Sequence, residues 1–177
     1  QNIPIRSEIG RKIRQGFLPE EGNLFVAADY SQVELRILAH LSGDEALIAA
    51  FHRGDDIHRA VAGEVFGVAP EDVDSDQRNA AKMINFGIIY GITAWGLARR
   101  LGEAVNVEEA ASFIEGYKTR FSGVQSFMDQ CVEEARSNGF VTTMQGRQRA
   151  IPQLESSQPQ VRELGKRLAI NSVVQGS

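Results

Sequence analysis

The segment Asp76-Gln-Arg-Asn-Ala-Ala-Lys-Met-Ile-Asn-Phe-Gly-Ile-Ile-Tyr-Gly91 constrains this chain most. Arg78, Lys82, Phe86 and Tyr90 recur every fourth residue. On an α-helix each step of four advances the angle by only about 40°. The four side chains therefore form one slowly turning stripe, two cations first and two aromatic rings after. The opposite face carries Ala80, Ala81, Ile84 and Ile88, enough to anchor a helix predicted over 76–89. By itself such spacing also fits an ordinary helix with core aromatics and solvated cations. An amphipathic helix normally separates the two kinds, however, and here they share a face. Gly87 and Gly91 stand beside the aromatics, where a missing side chain lets another surface come close. A triphosphate needs cations, and a base or sugar needs a flat apolar surface. One face of this helix suits a whole nucleotide.

Upstream, Leu24-Phe-Val-Ala-Ala28 is a short apolar run and reads as a buried strand. It ends at Asp29. A carboxylate held at the end of a strand is well placed for a metal, and magnesium favours hard oxygen ligands. Asp29 equally suits the cap of a helix starting near Ser31; position alone leaves both readings open. Asp55, Asp56 and His58 suggest a metal cluster at first sight. The plainer reading is a capping turn, with Asp55 and Asp56 as loop or cap residues and a surface histidine.

Several of these segments resemble one family. Asp29-Tyr-Ser-Gln-Val-Glu-Leu-Arg36 resembles the first polymerase motif of family A DNA polymerases, the bacterial DNA polymerase I type. Arg78 to Gly91 resembles the second motif, Arg-x3-Lys-x3-Phe-Gly-x2-Tyr-Gly. Gln1-Asn-Ile-Pro-Ile-Arg6, Asp56-Ile-His58, Gly146-Arg147 and Arg167-x3-Asn171-x3-Gln175-Gly176 are similar to further family segments, in the family's order. The resemblance runs from the first residue to the last, and spaced motifs in order are far more specific than any one of them.

The resemblance implies an α+β fold: a mostly helical fingers insert (about 46–138) on part of an antiparallel-sheet palm (about 1–45 and 139–177), an incomplete polymerase domain. It implies template-directed addition of deoxynucleotides to a primer 3′ end, with release of pyrophosphate, by a two-metal mechanism. Two Mg2+ ions are the implied cofactors, with Asp29 and the Tyr30 carbonyl as ligands. Lys82 and Arg78 would hold the triphosphate and offset developing charge. His58 would add a phosphate contact. Phe86 would stack near the incoming sugar and base, and Tyr90 would stand at the templating position. Glu34 would lie under the sugar's 2′ carbon and block a ribose hydroxyl, with Gln32 and Arg36 in support. Arg6, Arg36, Arg167, Asn171 and Gln175 would touch DNA. Minor-groove acceptors differ little between base pairs, so Arg and Gln donors test pair geometry without reading sequence. The implied partners are primer–template DNA and deoxynucleoside triphosphates, with the parent enzyme a monomer.

Two departures stand out. Many members carry two adjacent arginines in the second motif; here the second position is Asn79, off the stripe. The family's third motif, His-Asp-Glu or similar, supplies the second catalytic aspartate, and nothing in this chain matches it. Asp44 and Glu45 are not expected to replace that ligand. The chain reads as an internal fragment, expected to bind metal poorly and to catalyse little alone. Two other classes remain: an inactive polymerase-derived nucleotide- or DNA-binding module, and a single-subunit RNA polymerase of the phage type. Glu34 argues against the second, since a ribonucleotide would clash there.

A net charge of −4 is unexpected for a DNA binder. Residues 1–16 carry four cations and one acid, and residues 141–177 five cations and two acids, so each end is +3. The basic ends are the stretches assigned to DNA; the middle, 17–140, is −10. No apolar stretch approaches membrane-spanning length, so no membrane partner is expected. Cys131 is single and excludes an internal disulfide, which suits a cytoplasmic setting.

Periodicity and punctuation give the remaining map. Strands are predicted over 11–18 and 24–29. Helices are predicted near 31–42, 44–52, 57–66, 76–89, 93–101, 107–120, 123–138 and 158–175. Asp74, Ser75 and Asp76 are candidate caps of the stripe helix, and Gly139 ends the helix before it. Residues 140–144 and 148–151 flank Gln145-Gly-Arg147 as a hairpin.

Overall fold

The computed structural model describes residues 3–4, 7–102 and 105–177, which form two compact units, residues 1–31 and 32–177. In the first unit, helix α1 spans Glu8–Gln15. Ser7 caps it, its hydroxyl accepting from the Gly10 amide at 3.1 Å, and Lys12 pairs with Glu8 one turn back at 2.8 Å. The strand expected over 11–18 is therefore replaced largely by helix. The strand reading loses to a serine cap and an i,i+4 ion pair, both local and both helical. The second expected strand, over 24–29, is also absent. That run forms no ladder, and Leu24 and Val26 are exposed. A β-strand is defined by its partner, and no partner strand is present among the described residues.

The second unit is helical apart from one hairpin. Helices α2 (Val33–Ser42), α3 (Glu45–Arg53), α4 (Ile57–Phe66) and α5 (Ser75–Ile89) are followed by α6 (Ala94–Leu101), α7 (Val107–Arg120) and α8 (Ser122–Asn138). Strands β1 (Phe140–Thr142) and β2 (Gln148–Ala150) pair antiparallel with Val141 opposite Arg149, and α9 (Pro159–Gly176) closes the unit. The mostly helical α+β class expected from the sequence is what the chain adopts.

Packing follows a simple scheme. Each helix touches the next from α2 to α8, and α8 returns to α2, while α9 lies against α8, β1 and α2. Leu35 and Leu38 of α2, Leu47 of α3, Ile84 of α5 and Val174 of α9 are fully buried within the shared core. Asp44 is a polar exception inside it. Its Oδ1 accepts from the Leu47 amide and its Oδ2 from the Gly123 amide, each at 2.9 Å. One buried carboxylate thus caps both α3 and α8, satisfying amides that would otherwise be orphaned. Asp44 is a joint between helices.

Helix ends explain where the elements stop. Asp74 opens α5 with a reciprocal cap: its carboxylate accepts from the Gln77 amide at 2.8 Å, and the Gln77 side chain accepts from the Asp74 amide at 3.0 Å. Gly139, at φ 78°, ends α8 and donates to the Ala135 carbonyl. Among the described residues no helix is long and apolar enough to cross a membrane.

Candidate functional site

The stripe on α5 forms as its spacing requires. Ala81, Ile84 and Ile88 face the core, Lys82 is exposed, and Arg78, Phe86 and Tyr90 are half-buried. The four positions are not equivalent in their surroundings. Arg78 Nε donates to Asp56 Oδ2 at 2.7 Å. Asp56 also caps α4, its Oδ1 accepting from the His58 and Arg59 amides at 3.0 and 3.2 Å. A single aspartate therefore starts one helix and orients the arginine of another. Lys82 has no carboxylate at ion-pair distance among the described residues. Asn79 is exposed.

The aromatic half of the stripe is tied to two other elements. The Phe86 and Tyr90 rings stack with centroids 6.2 Å apart and planes 20° apart. The Tyr90 hydroxyl donates to Glu34 Oε2 on α2 and accepts from Gln175 Nε2 on α9, the latter at 2.9 Å. Burial, the Glu34 hydrogen bond and the Glu34 charge push the Tyr90 hydroxyl up to about 12, against an opposing contribution from Gln175. At neutral pH it is a donor and stays one. Gly91 follows at φ 69°, and a Cβ there would lie 2.8 Å from Cγ of Arg167. Only glycine both makes this turn and lets the arginine stem pass over it.

His58 lies beneath this surface. It is 2% exposed, which overturns the surface-histidine reading of the Asp55–His58 turn. Its Nδ1 is 2.8 Å from Nδ2 of Asn85, and the Phe86 ring centroid is 5.9 Å away. Burial lowers the imidazole to about 4; the Asp56 charge opposes this, and the Arg78 and Lys82 charges reinforce it. Burial pushes Asp56 up, but the Arg78 hydrogen bond and charge, with the Arg59 and His58 amides, hold its carboxyl below the usual range. Both shifts favour the deprotonated form in the folded state. For His58 the stability contribution is complete above pH 6.5 and is lost as pH falls through the window from 6.5 to about 4. The Asp56 contribution is lost lower, as its folded value is crossed. Unfolding free energy measured in urea should therefore decline from pH 7 to 4, and a His58→Gln variant should flatten that decline. A profile already flat in the unsubstituted protein would contradict the neutral buried ring.

The remaining expected residues divide in three. Gln32, at φ 54°, is the one non-glycine residue in left-handed backbone among the described residues, and it stands at the start of α2. Such a conformation costs on the order of 1–3 kcal/mol and persists where its surroundings require it. The Arg36 guanidinium lies 4.6 Å over the Phe51 ring. On α9, Arg167 and Gln175 meet the end of α5, and Asn171 has a buried Oδ1 without a hydrogen-bond partner. Asp29 and Tyr30 belong to the first unit, in the non-ladder stretch and its end, and are exposed. Arg6 lies outside the described residues.

One feature escaped the site residues drawn from the sequence. Arg147, Gln148 and Arg149 join Thr143, Asn171 and Gln175 around a groove of about 450 Å³. The signal available was the Gly146-Arg147 turn within the basic C-terminal stretch. Asn85 also went unnoticed, because nothing local marks a mid-helix asparagine as the partner of a histidine 27 residues away.

Magnesium often takes one or two carboxylates plus substrate phosphates. Asp29 offers one carboxylate. Among the described residues no three His, Cys, Asp or Glu side chains gather into a metal-holding group. Asp29 fits as a single ligand, and the described residues do not complete a two-ion site.

Comparison with known proteins gives the same direction throughout. DNA polymerase I of Lactococcus lactis subsp. lactis is 49% identical over the whole chain, which covers 20% of that protein. DNA polymerase I of Geobacillus stearothermophilus is 51% identical, again over the whole chain and 20% of its length. The POL domain of Pol1 from M. smegmatis, solved in complex with DNA primer-template and dNTP, superposes with a TM-score of 0.86 at 44% identity. That match covers 99% of this chain and 31% of the solved one. The chain spans about a fifth of the length of the curated relatives it matches. The family model described as DNA polymerase family A matches residues 1–177, and the chain belongs to that family.

Proposed function

We propose that this chain is part of a template-directed DNA polymerase that adds deoxynucleotides to a primer 3′ end and releases pyrophosphate. The observation that carries the reading is the stripe of α5, with cations at one end and stacked rings at the other, the ring end bonded to Glu34 and Gln175. In this reading residues 1–45 and 139–177 belong to the palm and residues 46–138 to the fingers. The Tyr90 hydroxyl then bridges the two parts. Primer–template DNA and deoxynucleoside triphosphates are the partners, and the parent enzyme works as a monomer.

The surroundings of each residue support a role for it. Asp56 holds Arg78 in one orientation, so its guanidinium meets a phosphate without first losing side-chain freedom. Lys82, exposed and without a carboxylate neighbour among the described residues, meets charge developing on the leaving pyrophosphate. Phe86 offers a ring face to the sugar and base. Glu34, held by Tyr90, fills the space a 2′ hydroxyl would need. Arg167, Asn171 and Gln175 present donors and acceptors to the minor-groove edge of the newest pair. Magnesium, when bound, supplies Lewis-acid stabilisation of the phosphoryl oxygens; Asp29 is the ligand this chain contributes, with the Tyr30 carbonyl beside it. The fingers segment is expected to rotate inward on the correct nucleotide, coupling pair shape to assembly of the site.

The full-length parent should extend a DNA primer on a DNA template with deoxynucleotides. Extension with ribonucleotides alone would point instead to an RNA polymerase. Binding of DNA and nucleotide without extension would leave only a binding module.

A further inference from the structure

His58 and Asn85 face each other across the α4–α5 contact, and both are almost completely buried, at 2% and 0% exposure. Their polar atoms lie 2.8 Å apart. In a neutral imidazole one nitrogen donates and the other accepts, and the partner of the first decides what the second does. We propose that Asn85 is a positioning residue: its amide donates to Nδ1 of His58, places the ring proton on Nε2, and so makes His58 a neutral hydrogen-bond donor to the triphosphate. This rests on the nucleotide site proposed above.

Three arguments support a neutral ring in that orientation. Turning the Asn85 amide end for end would let its carbonyl accept from an Nδ1 proton, but would strand an NH2 group with two donors in the core. The arrangement present bonds one amide proton to Nδ1 and leaves the carbonyl oxygen, Asn85 Oδ1, without a partner. An under-satisfied carbonyl is better tolerated in a core than an NH2 group with neither proton bonded. Second, the turned arrangement would leave a bare lone pair on Nε2, which repels a phosphate oxygen. Third, the charges around the ring are Asp56 at the start of α4 and Arg78 and Lys82 on α5. The two cations already supply positive charge to a triphosphate. A third, buried positive charge would be opposed by burial and by those two cations, against the pull of Asp56, whereas an N–H donor adds a directed contact without it. The Phe86 ring, 5.9 Å away, further limits ring motion.

Nitrogen-15 NMR of the full-length enzyme, labelled in histidine, reads the tautomer directly and needs no variant of Asn85. A His58→Ala spectrum identifies the signal. A protonated Nε2 and a bare Nδ1 at pH 7.5 are expected; a protonated Nδ1 overturns the proposal. A double-mutant cycle then tests the consequence. Asn85→Leu and His58→Ala should each raise KM for the deoxynucleotide by about 10-fold with kcat little changed. The double variant should be no worse than His58→Ala alone. Full additivity would mean that Asn85 does not act through His58, and would overturn the proposal. An unchanged KM in His58→Ala would remove the phosphate role of His58 itself; the tautomer assignment would still stand or fall by the spectrum.

Discussion

Replacing Lys82 with alanine in the full-length enzyme should lower kcat for nucleotide addition by about 100- to 1,000-fold, the usual cost of removing one preorganised charge partner. Primer–template affinity should stay within about twofold, because in this reading Lys82 meets the triphosphate and none of the duplex phosphates that set DNA affinity. The argument rests on how differently the two cations of α5 are held. Arg78 is engaged by Asp56 at 2.7 Å before any ligand arrives. Lys82 is exposed and has no carboxylate neighbour among the described residues, so its charge is directed at whatever enters. A compact ammonium acts as a point charge on a phosphate. Rapid-quench primer extension reads the chemical step, and a mobility shift reads DNA binding. Should the DNA affinity collapse while kcat holds, Lys82 lies on the duplex and not on the triphosphate.

Glu34→Ala should reduce discrimination against ribonucleotides, measured as the ratio of kcat/KM values, by on the order of 100-fold or more. The carboxylate does not act as a loose side chain. It accepts from the Tyr90 hydroxyl, which accepts in turn from Gln175. With that hydroxyl raised to about 12 by burial and by Glu34, the contact persists across the working range of pH. A fixed carboxylate excludes a hydroxyl by volume. Alanine opens the space. Tyr90→Phe gives a graded control: the carboxylate remains but loses its anchor, so discrimination should fall by less. Equal selectivity in the unsubstituted and Glu34→Ala enzymes would remove the steric account.

Much of the fold was legible because its information is local. The α5 stripe, the Asp74–Gln77 cap and Gly139 at the end of α8 each act within a few residues. Helices depend on such short-range bonds, so their positions follow from spacing and caps. The hairpin was legible for the same reason, since Gly146 at φ 77° allows its tight turn. The two expected strands failed because a strand draws its bonds from another chain segment. Residues 11–18 had a competing local solution in α1, and residues 24–29 had no partner in the described chain.

The candidate site divides along the same line. Which residues carry charge, rings and carboxylates, and in what order, is written in the chain and was enough to point to a nucleotide surface and a polymerase family. Which of them touch is not. Tyr90 reaches 56 residues back to Glu34 and 85 forward to Gln175; His58 meets Asn85 across 27 residues; Arg167 crosses Gly91. Those meetings depend on how α2, α4, α5 and α9 pack, which is set by the shared core and not by any short stretch. Burial likewise turned His58 from an expected surface group into a neutral one beneath Phe86. Local chemistry named the candidate groups, and long-range packing chose their protonation, their orientation and their partners.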